Sequence, residues 1–326
     1  MNKFCALILA AGEGSRMRSQ KPKALLEVLF KPMLGWVVDS VKKSNITRIF
    51  VVTGYGHKSI ERYLSELSLL DNSLILTTVF QSERLGTGHA VLSAKDFLKK
   101  EEFEDVVVLS GDTPLLDSKT IKKAYDIHKS QKNSLTLISS EVDDTFGYGR
   151  VIRKDKKIYS VVEQKDASEE ILKIKEVNSG AYWFNVKDLL SALSLIKNDN
   201  AQNEYYLTDT IRILVLQGKK VGNFSSVSSD LILGANDAGQ LERVSAVAQN
   251  NILEKLQNND VKIWSTQGVT IGPDVQIGSG CEIFSETIII GRTLIGTNCK
   301  IGPDVILNNQ NVASDSVVTK KSFNFC

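Results

Sequence analysis

The chain has 326 residues, enough for about two domains of ordinary size. Its 40 Lys and Arg against 38 Asp and Glu leave a formal charge of +2, too small an excess for a protein that grips nucleic acid by counterion release. A hydrophobic share of 42% excludes a disordered chain, and no apolar run approaches the roughly 20 residues needed to span a bilayer.

The four cysteines, Cys5, Cys281, Cys299 and Cys326, include no CxxC pair. Free thiols of this kind suit a reducing compartment, so a cytoplasmic protein is expected. Only three histidines occur (His57, His89 and His128), which argues against a His/Cys zinc site.

Lys3 followed by an apolar run over residues 4–11 has the texture of a short export signal. The run is too short for that role and feeds Gly12-Glu13-Gly14-Ser15-Arg16, so it reads better as a buried central strand leading into a phosphate loop. Strands are predicted at residues 6–10, 49–52, 74–80, 106–109 and 134–140. Helices are predicted between them at 36–43, 59–67, 88–99 and 118–130. This alternation predicts an α/β domain, Rossmann-like, with a mostly parallel sheet covered by helices on both faces. Ligands of such sheets bind beyond the carboxyl ends of the strands, here after residues 10, 52, 80 and 109.

Leu241, Val244, Ala248, Ile252 and Leu256 recur at three- and four-residue spacing and predict a helix. It is read as a linker over 237–262, between a domain of residues 1–236 and a last segment of 263–326. In that segment Ile271, Ile277, Ile283, Ile289, Ile295, Ile301 and Leu307 stand six apart. Val275, Cys281, Thr287, Thr293, Cys299 and Val305 follow each at the fourth residue, and Gly272, Gly278, Gly296 and Gly302 follow the aliphatics. Short strands with one inward aliphatic and a glycine corner build a parallel β-helix. The resemblance to hexapeptide-repeat proteins implies a left-handed coil with three repeats per turn, and so about three coils here. Residues 18 apart would then stack, Ile271 on Ile289 on Leu307 and Cys281 on Cys299, the thiols serving as small apolar packing.

The chemistry concentrates after the first strand, in Leu9-Ala10-Ala11-Gly12-Glu13-Gly14-Ser15-Arg16-Met17 and Lys21-Pro22-Lys23. Gly12 and Gly14 let backbone N–H groups approach phosphate oxygens, and Arg16 and Lys23 can neutralise charge that builds in phosphoryl transfer. The third glycine of a dinucleotide fingerprint and the GK[ST] of a P-loop are both missing. Asp112 follows the strand at 106–109 in a Gly-Asp turn; it is either a magnesium ligand or a capping carboxylate.

The motif resembles the nucleotide-binding signature of sugar-1-phosphate nucleotidyltransferases. More narrowly, it is similar to the uridylyltransferase half of the bifunctional UDP-N-acetylglucosamine pyrophosphorylase/glucosamine-1-phosphate N-acetyltransferase family. The same order of motifs continues through Gln81, Leu85-Gly86-Thr87-Gly88-His89-Ala90, Leu109-Ser110-Gly111-Asp112-Thr113-Pro114-Leu115, Gly147-Tyr148-Gly149-Arg150, Val162-Glu163-Gln164-Lys165-Asp166, Glu176-Val177-Asn178-Ser179-Gly180 and Asn203-Glu204-Tyr205-Tyr206-Leu207-Thr208-Asp209.

The resemblance implies a nucleotide site of Leu9, Ala10, Ala11, Gly12, Gly14, Lys23, Gln81, Gly86, Thr87, Gly111 and Asp112, with Arg16 and Lys23 catalytic. It implies Mg²⁺ on Asp112 and Asn236, uracil readers in Gln81 and the Gly86-Thr87 turn, and a sugar site of Gly149, Glu163, Asn178, Tyr206 and Thr208. Tyr206 is alternatively a core residue. The expected reaction is uridylyl transfer from UTP to N-acetylglucosamine 1-phosphate. Two alternatives stay open: another sugar 1-phosphate such as glucose 1-phosphate, and a non-catalytic homologue acting as a binding subunit.

The longer relatives carry acetyl transfer on a later stretch of β-helix with a histidine. No histidine follows His128 here, so acetyl transfer is not expected, whether the chain is naturally short or truncated. Family habit implies a homotrimer formed through the β-helix. His89 is read as packing or capping, and His57 as lining the cleft or stabilising a loop. Trp183 and Trp264 are read as core, and Lys119, Lys122 and Lys123 as a solvated helix face.

Overall fold

The computed structural model describes residues 3–17, 19–226 and 228–320; Cys326 lies outside them. The chain divides into two compact units, one containing residues 33–238 and the chain up to 26, the other containing 27–32 and the chain from 239 onward.

In chain order the elements are β1 (Phe4–Ala10), β2 (Glu27–Val28), β3 (Lys31–Pro32), α1 (Met33–Lys43), β4 (Arg48–Thr53), α2 (His57–Leu70), β5 (Ile75–Phe80), α3 (Thr87–Ser93), α4 (Lys95–Lys100), β6 (Asp105–Ser110), α5 (Ser118–Ser130), β7 (Leu135–Glu141), β8 (Arg150–Lys154), β9 (Lys157–Val162), α6 (Glu169–Leu172), β10 (Glu176–Asn185), α7 (Val186–Leu193), α8 (Asp209–Leu216), β11 (Val221–Ser226) and α9 (Ala238–Gln257), followed by ten short strands. The β2–β3 ribbon belongs to the second unit.

The first unit is one sheet in the order β11-β7-β10-β6-β1-β4-β5. β1 pairs in parallel with β4 and β6, β4 with β5, and β11 with β7. β10 runs antiparallel between β6 and β7, and the β8–β9 hairpin joins it through Arg150 and Val177. Alternate side chains of β1 feed two cores. Cys5 and Leu7 pack on one face with residues of α3, α4, α7 and α8, and Ala6, Ile8 and Ala10 pack on the other with α1, α2 and α5. A strand buried on both faces has to be apolar throughout, as β1 is.

The predicted strands and helices form with small differences at their ends, and 118–130 matches α5. The helix predicted over 88–99 is two helices, broken at the buried Ala94, whose φ of −89° and ψ of 0° leave the helical region. Trp183 is core, 1% exposed, and its indole N–H donates to the Ile121 carbonyl at 3.0 Å. Lys119, Lys122 and Lys123 are exposed on α5.

The second unit is a short left-handed parallel β-helix whose strands stack in three sheets. Ile271, Ile289 and Leu307 align in register, as do Ile277 and Ile295, and Ile283 and Ile301. The 18-residue period then shortens to 17, since Ile295 pairs with Val312 and Ile301 with Val318. Cys281 and Cys299 stack inside as free thiols. The Cys299 amide lies 3.3 Å from the sulfur of Cys281, and each thiol donates to a backbone carbonyl. The helix read as a linker, α9, sends Leu253 and Leu256 into the β-helix core.

Trp264 corrects the reading of it as core: it is 54% exposed. It follows Ile263 on the strand Lys262–Ile263, so alternation points it outward. There it stacks on Phe284, donates to Glu282 at 2.7 Å and carries the Lys262 ammonium 3.3 Å above its ring.

Candidate active site

The carboxyl ends of β1, β5 and β6 open on a cavity of about 600 Å³. Every residue expected at the nucleotide lines it: Leu9, Ala10, Ala11, Gly12, Gly14, Lys23, Gln81, Gly86, Thr87, Gly111 and Asp112, together with Arg16 and Asn236. Sequence reading missed Glu13, Ala24, Arg84, Ala90, Ser110 and Glu204, which also line it. Glu13, Ala90, Ser110 and Glu204 stand inside the quoted motifs, where they were given no role, and Ala24 adjoins Lys23. Arg84 and Glu13 form an ion pair between the loops after β5 and β1.

Local backbone geometry sets the loop after β1. Gly14 has φ of +67°, and a Cβ built there would stand 2.7 Å from Cβ of Lys23, so the glycine makes room for the lysine stem. The Gly111 amide donates to the Leu9 carbonyl at 2.9 Å, which ties the Asp112 turn to the end of β1. The Ala235 amide donates to the Asp112 carbonyl at 3.3 Å and brings Asn236 alongside.

These ties assemble a polar cluster from three distant stretches of sequence. The Lys23 ammonium donates to the Asp112 carboxylate and to Oδ1 of Asn236 at 2.7 Å, and Arg16 reaches the same Oδ1 at 3.4 Å. The Asp112 carboxylate and the Asn236 amide oxygen thus share one cation already. A pair of hard oxygens, only one of them acidic, fits Mg²⁺, which completes its shell with phosphate and water oxygens. No group of three or more His, Cys, Asp and Glu suited to a metal occurs among the described residues.

The residues expected at the sugar lie outside the cavity lining and form a second group. Glu163 accepts a 3.0 Å hydrogen bond from the Thr208 hydroxyl. Gly149 packs against that carboxylate, its missing Cβ 3.2 Å from Oε2, and its carbonyl accepts from the Asn178 amide at 2.9 Å. The side-chain amide of Asn178 donates to the Tyr182 hydroxyl at 2.7 Å. Tyr206 is buried, its hydroxyl accepts from Gln202 at 2.8 Å, and burial pushes its phenol up to about 12.

Burial raises the Glu163 carboxyl above its ordinary value, and Asp166, Asp209 and Glu204 add to the rise against the pull of Thr208. A carboxyl raised by folding gives stability that is complete below its unfolded value of about 4.3 and is lost as pH climbs through the folded value. Glu163→Gln keeps the acceptor for Thr208 without the charge. Its stability relative to the parent is therefore expected to grow as pH rises through the folded value; urea unfolding across pH measures this.

Backbone links tie the stretch 85–88, expected at the base, to the stretch 205–207 beside the residues expected at the sugar. The Tyr205 amide donates to the Leu85 carbonyl at 2.7 Å, the Gly88 amide to the Tyr205 carbonyl at 2.7 Å and the Leu207 amide to the Thr87 hydroxyl at 3.0 Å. Gly86 adopts φ of 103° and ψ of 178°, and a Cβ there would lie 2.7 Å from the Tyr205 carbonyl oxygen. Gly86→Ala is expected to cost about 1–3 kcal/mol in strain and to raise the nucleotide KM, read by thermal unfolding and by kinetics.

His89 contacts Gln81 at 3.0 Å. His57 does not join the cavity; its ring packs 5.0 Å from Phe80 and lies 3.4 Å from Glu61 in α2. His128 is buried between Asp105 and Thr136.

The family model described as nucleotidyl transferase matches residues 5–252. The chain belongs to the nucleotidyl transferase family. Within it the chain is GlmU-like. It is 42% identical over 323 residues to the bifunctional protein GlmU of Acetivibrio thermocellus, covering 99% of this chain and 68% of that protein. The bifunctional protein GlmU of Caldanaerobacter subterraneus subsp. tengcongensis is 40% identical over 305 residues, covering 93% of this chain and 64% of that protein. Among solved structures, a UDP-glucose pyrophosphorylase complexed with UDP-glucose superposes with a TM-score of 0.62 at 20% identity, over 77% of this chain and all of that one. This last likeness concerns the fold. No helix among the described residues of this nucleotidyl transferase is long and apolar enough to cross a membrane.

Proposed function

We propose that the chain transfers a uridylyl group from UTP to N-acetylglucosamine 1-phosphate, giving UDP-N-acetylglucosamine and pyrophosphate. The observation that carries this reading is the convergence of Lys23, Arg16, Asp112 and Asn236 at one cavity, which Gly12 and Gly14 also line. Similarity to GlmU proteins along 99% of the chain supports the choice of reaction.

A phosphate oxygen of the sugar phosphate attacks the α-phosphorus of UTP. The new O–P bond forms as the bond to the β-phosphate oxygen breaks, and pyrophosphate leaves with the electron pair. The nucleophile is already an anion, so no protein base is required. Mg²⁺ held by Asp112 and Asn236 would neutralise phosphate charge and align the triphosphate. Lys23 then turns from Asp112 to the phosphates, Arg16 adds a second positive charge, and backbone N–H groups around Gly12 and Gly14 hold the oxygens in line. Glu163, Thr208, Asn178 and Gly149 offer the carboxylate, hydroxyl and amide groups that suit sugar hydroxyls and an acetamido group. Tyr206, buried with its hydroxyl committed to Gln202, adds an aromatic wall to the sugar site on this reading.

The proposal covers nucleotidyl transfer alone. Free thiols and a nucleotide donor fit an enzyme of the cytoplasm. Association into trimers through the β-helix is the matching expectation for assembly, and size exclusion with light scattering tests it. The reaction itself is tested by pyrophosphate release from a panel of sugar 1-phosphates with UTP, CTP and dTTP in the presence of Mg²⁺. Fastest turnover with UTP and N-acetylglucosamine 1-phosphate is expected. Preference for glucose 1-phosphate would move the assignment to another sugar, and no release from any pair would leave a binding subunit.

A further inference from the structure

Gln81 is 3% exposed and lines the cavity. Its side-chain nitrogen lies 3.2 Å from the Gly86 carbonyl oxygen and 3.0 Å from Nδ1 of His89. A backbone carbonyl only accepts hydrogen bonds, so the end of the amide that faces it is the NH2 group. The second amide proton then points at His89, which requires a lone pair on Nδ1 and places the imidazole proton on Nε2. Both donors of Gln81 are thereby committed. What remains is Oε1, an acceptor that receives no hydrogen bond from the described residues.

Uracil and cytosine differ in the sense required. Uracil carries N3–H, a donor that an amide oxygen accepts; cytosine carries a lone pair at N3, which an amide oxygen repels. A glutamine free to turn its amide could serve either base. We propose that His89 is a positioning residue for base selection: its Nδ1 clamps the Gln81 amide with the oxygen toward the base, which favours uridine over cytidine nucleotides. The inference rests on the reading of UTP as donor and adds a residue that touches neither substrate. It goes beyond the packing or capping role that the sequence assigns to His89.

Two measurements test it. The first is the tautomer of His89 in the unmutated protein, read at mildly alkaline pH from long-range ¹H–¹⁵N correlations, which three histidines keep simple. An unprotonated Nδ1 is expected; a proton on Nδ1 overturns the proposal without reference to any substrate. The second is the ratio of kcat/KM for UTP to that for CTP in the parent, His89→Leu and His89→Asn. Leucine removes the acceptor, and the ratio is expected to fall about tenfold, the worth of one neutral hydrogen bond, mainly through the UTP KM. Asparagine restores an acceptor near the place of Nδ1 and is expected to keep the ratio close to the parent's. A leucine variant that folds and keeps the parent ratio overturns the proposal. A parent enzyme with no preference for UTP overturns it through the reading of UTP beneath it, a failure told apart because it appears before any substitution.

Discussion

Asp112→Ala is expected to lower kcat about a thousandfold while changing either KM far less. Asp112 supplies a carboxylate to the cluster with Lys23, Arg16 and Asn236, and its turn is fixed to β1 through Gly111. Substrates would still meet the glycine loop and the sugar group, so ground-state binding survives. Charge that develops on the phosphates in the transition state would lose its metal anchor. Pyrophosphate release followed across a magnesium titration measures this, and an alanine variant with ordinary magnesium-dependent turnover refutes the assignment.

Lys23→Ala is expected to lower kcat about a hundredfold, with a different response to metal. In the structure its ammonium occupies the two oxygens that would receive the divalent ion. Removing it takes a positive charge from the triphosphate and also takes a competitor from Asp112 and Asn236. The magnesium concentration giving half-maximal rate should therefore stay level or fall in Lys23→Ala, whereas it rises in Asp112→Ala. The double variant is expected to lose less than the product of the single losses, because the two groups act through one cluster. A Lys23→Ala enzyme that needs more magnesium than the parent would contradict the exchange of one cation for the other.

Much of the first unit was legible because its strands are apolar runs of the length a doubly covered sheet demands, and β1 is the plainest case. The rule that ligands sit beyond strand ends then places Gly12, Gln81 and Asp112 together from the sequence alone. β10 escaped for a local reason. Its register shifts between Asn178 and Ala181, and the polar Asn178-Ser179-Gly180 stretch interrupts the apolar pattern of the strand. Nothing local marks it as antiparallel either, since that follows from its insertion between β6 and β7. Trp264 lies before Ile271, where the six-residue series starts, so the repeat does not orient its ring. Six-residue spacing revealed the β-helix, but the shortening of its last coil falls after Leu307, where the aliphatic series ends.

The backbone links from Leu85 and Gly88 to Tyr205, and from Thr87 to Leu207, make one body of the loops assigned to base and sugar. Any occupant that displaces one loop must do work on the other. On the proposed function, the affinities of the two substrates are then expected to be thermodynamically coupled, and the factor by which nucleotide changes sugar phosphate binding must equal the factor in the reverse direction.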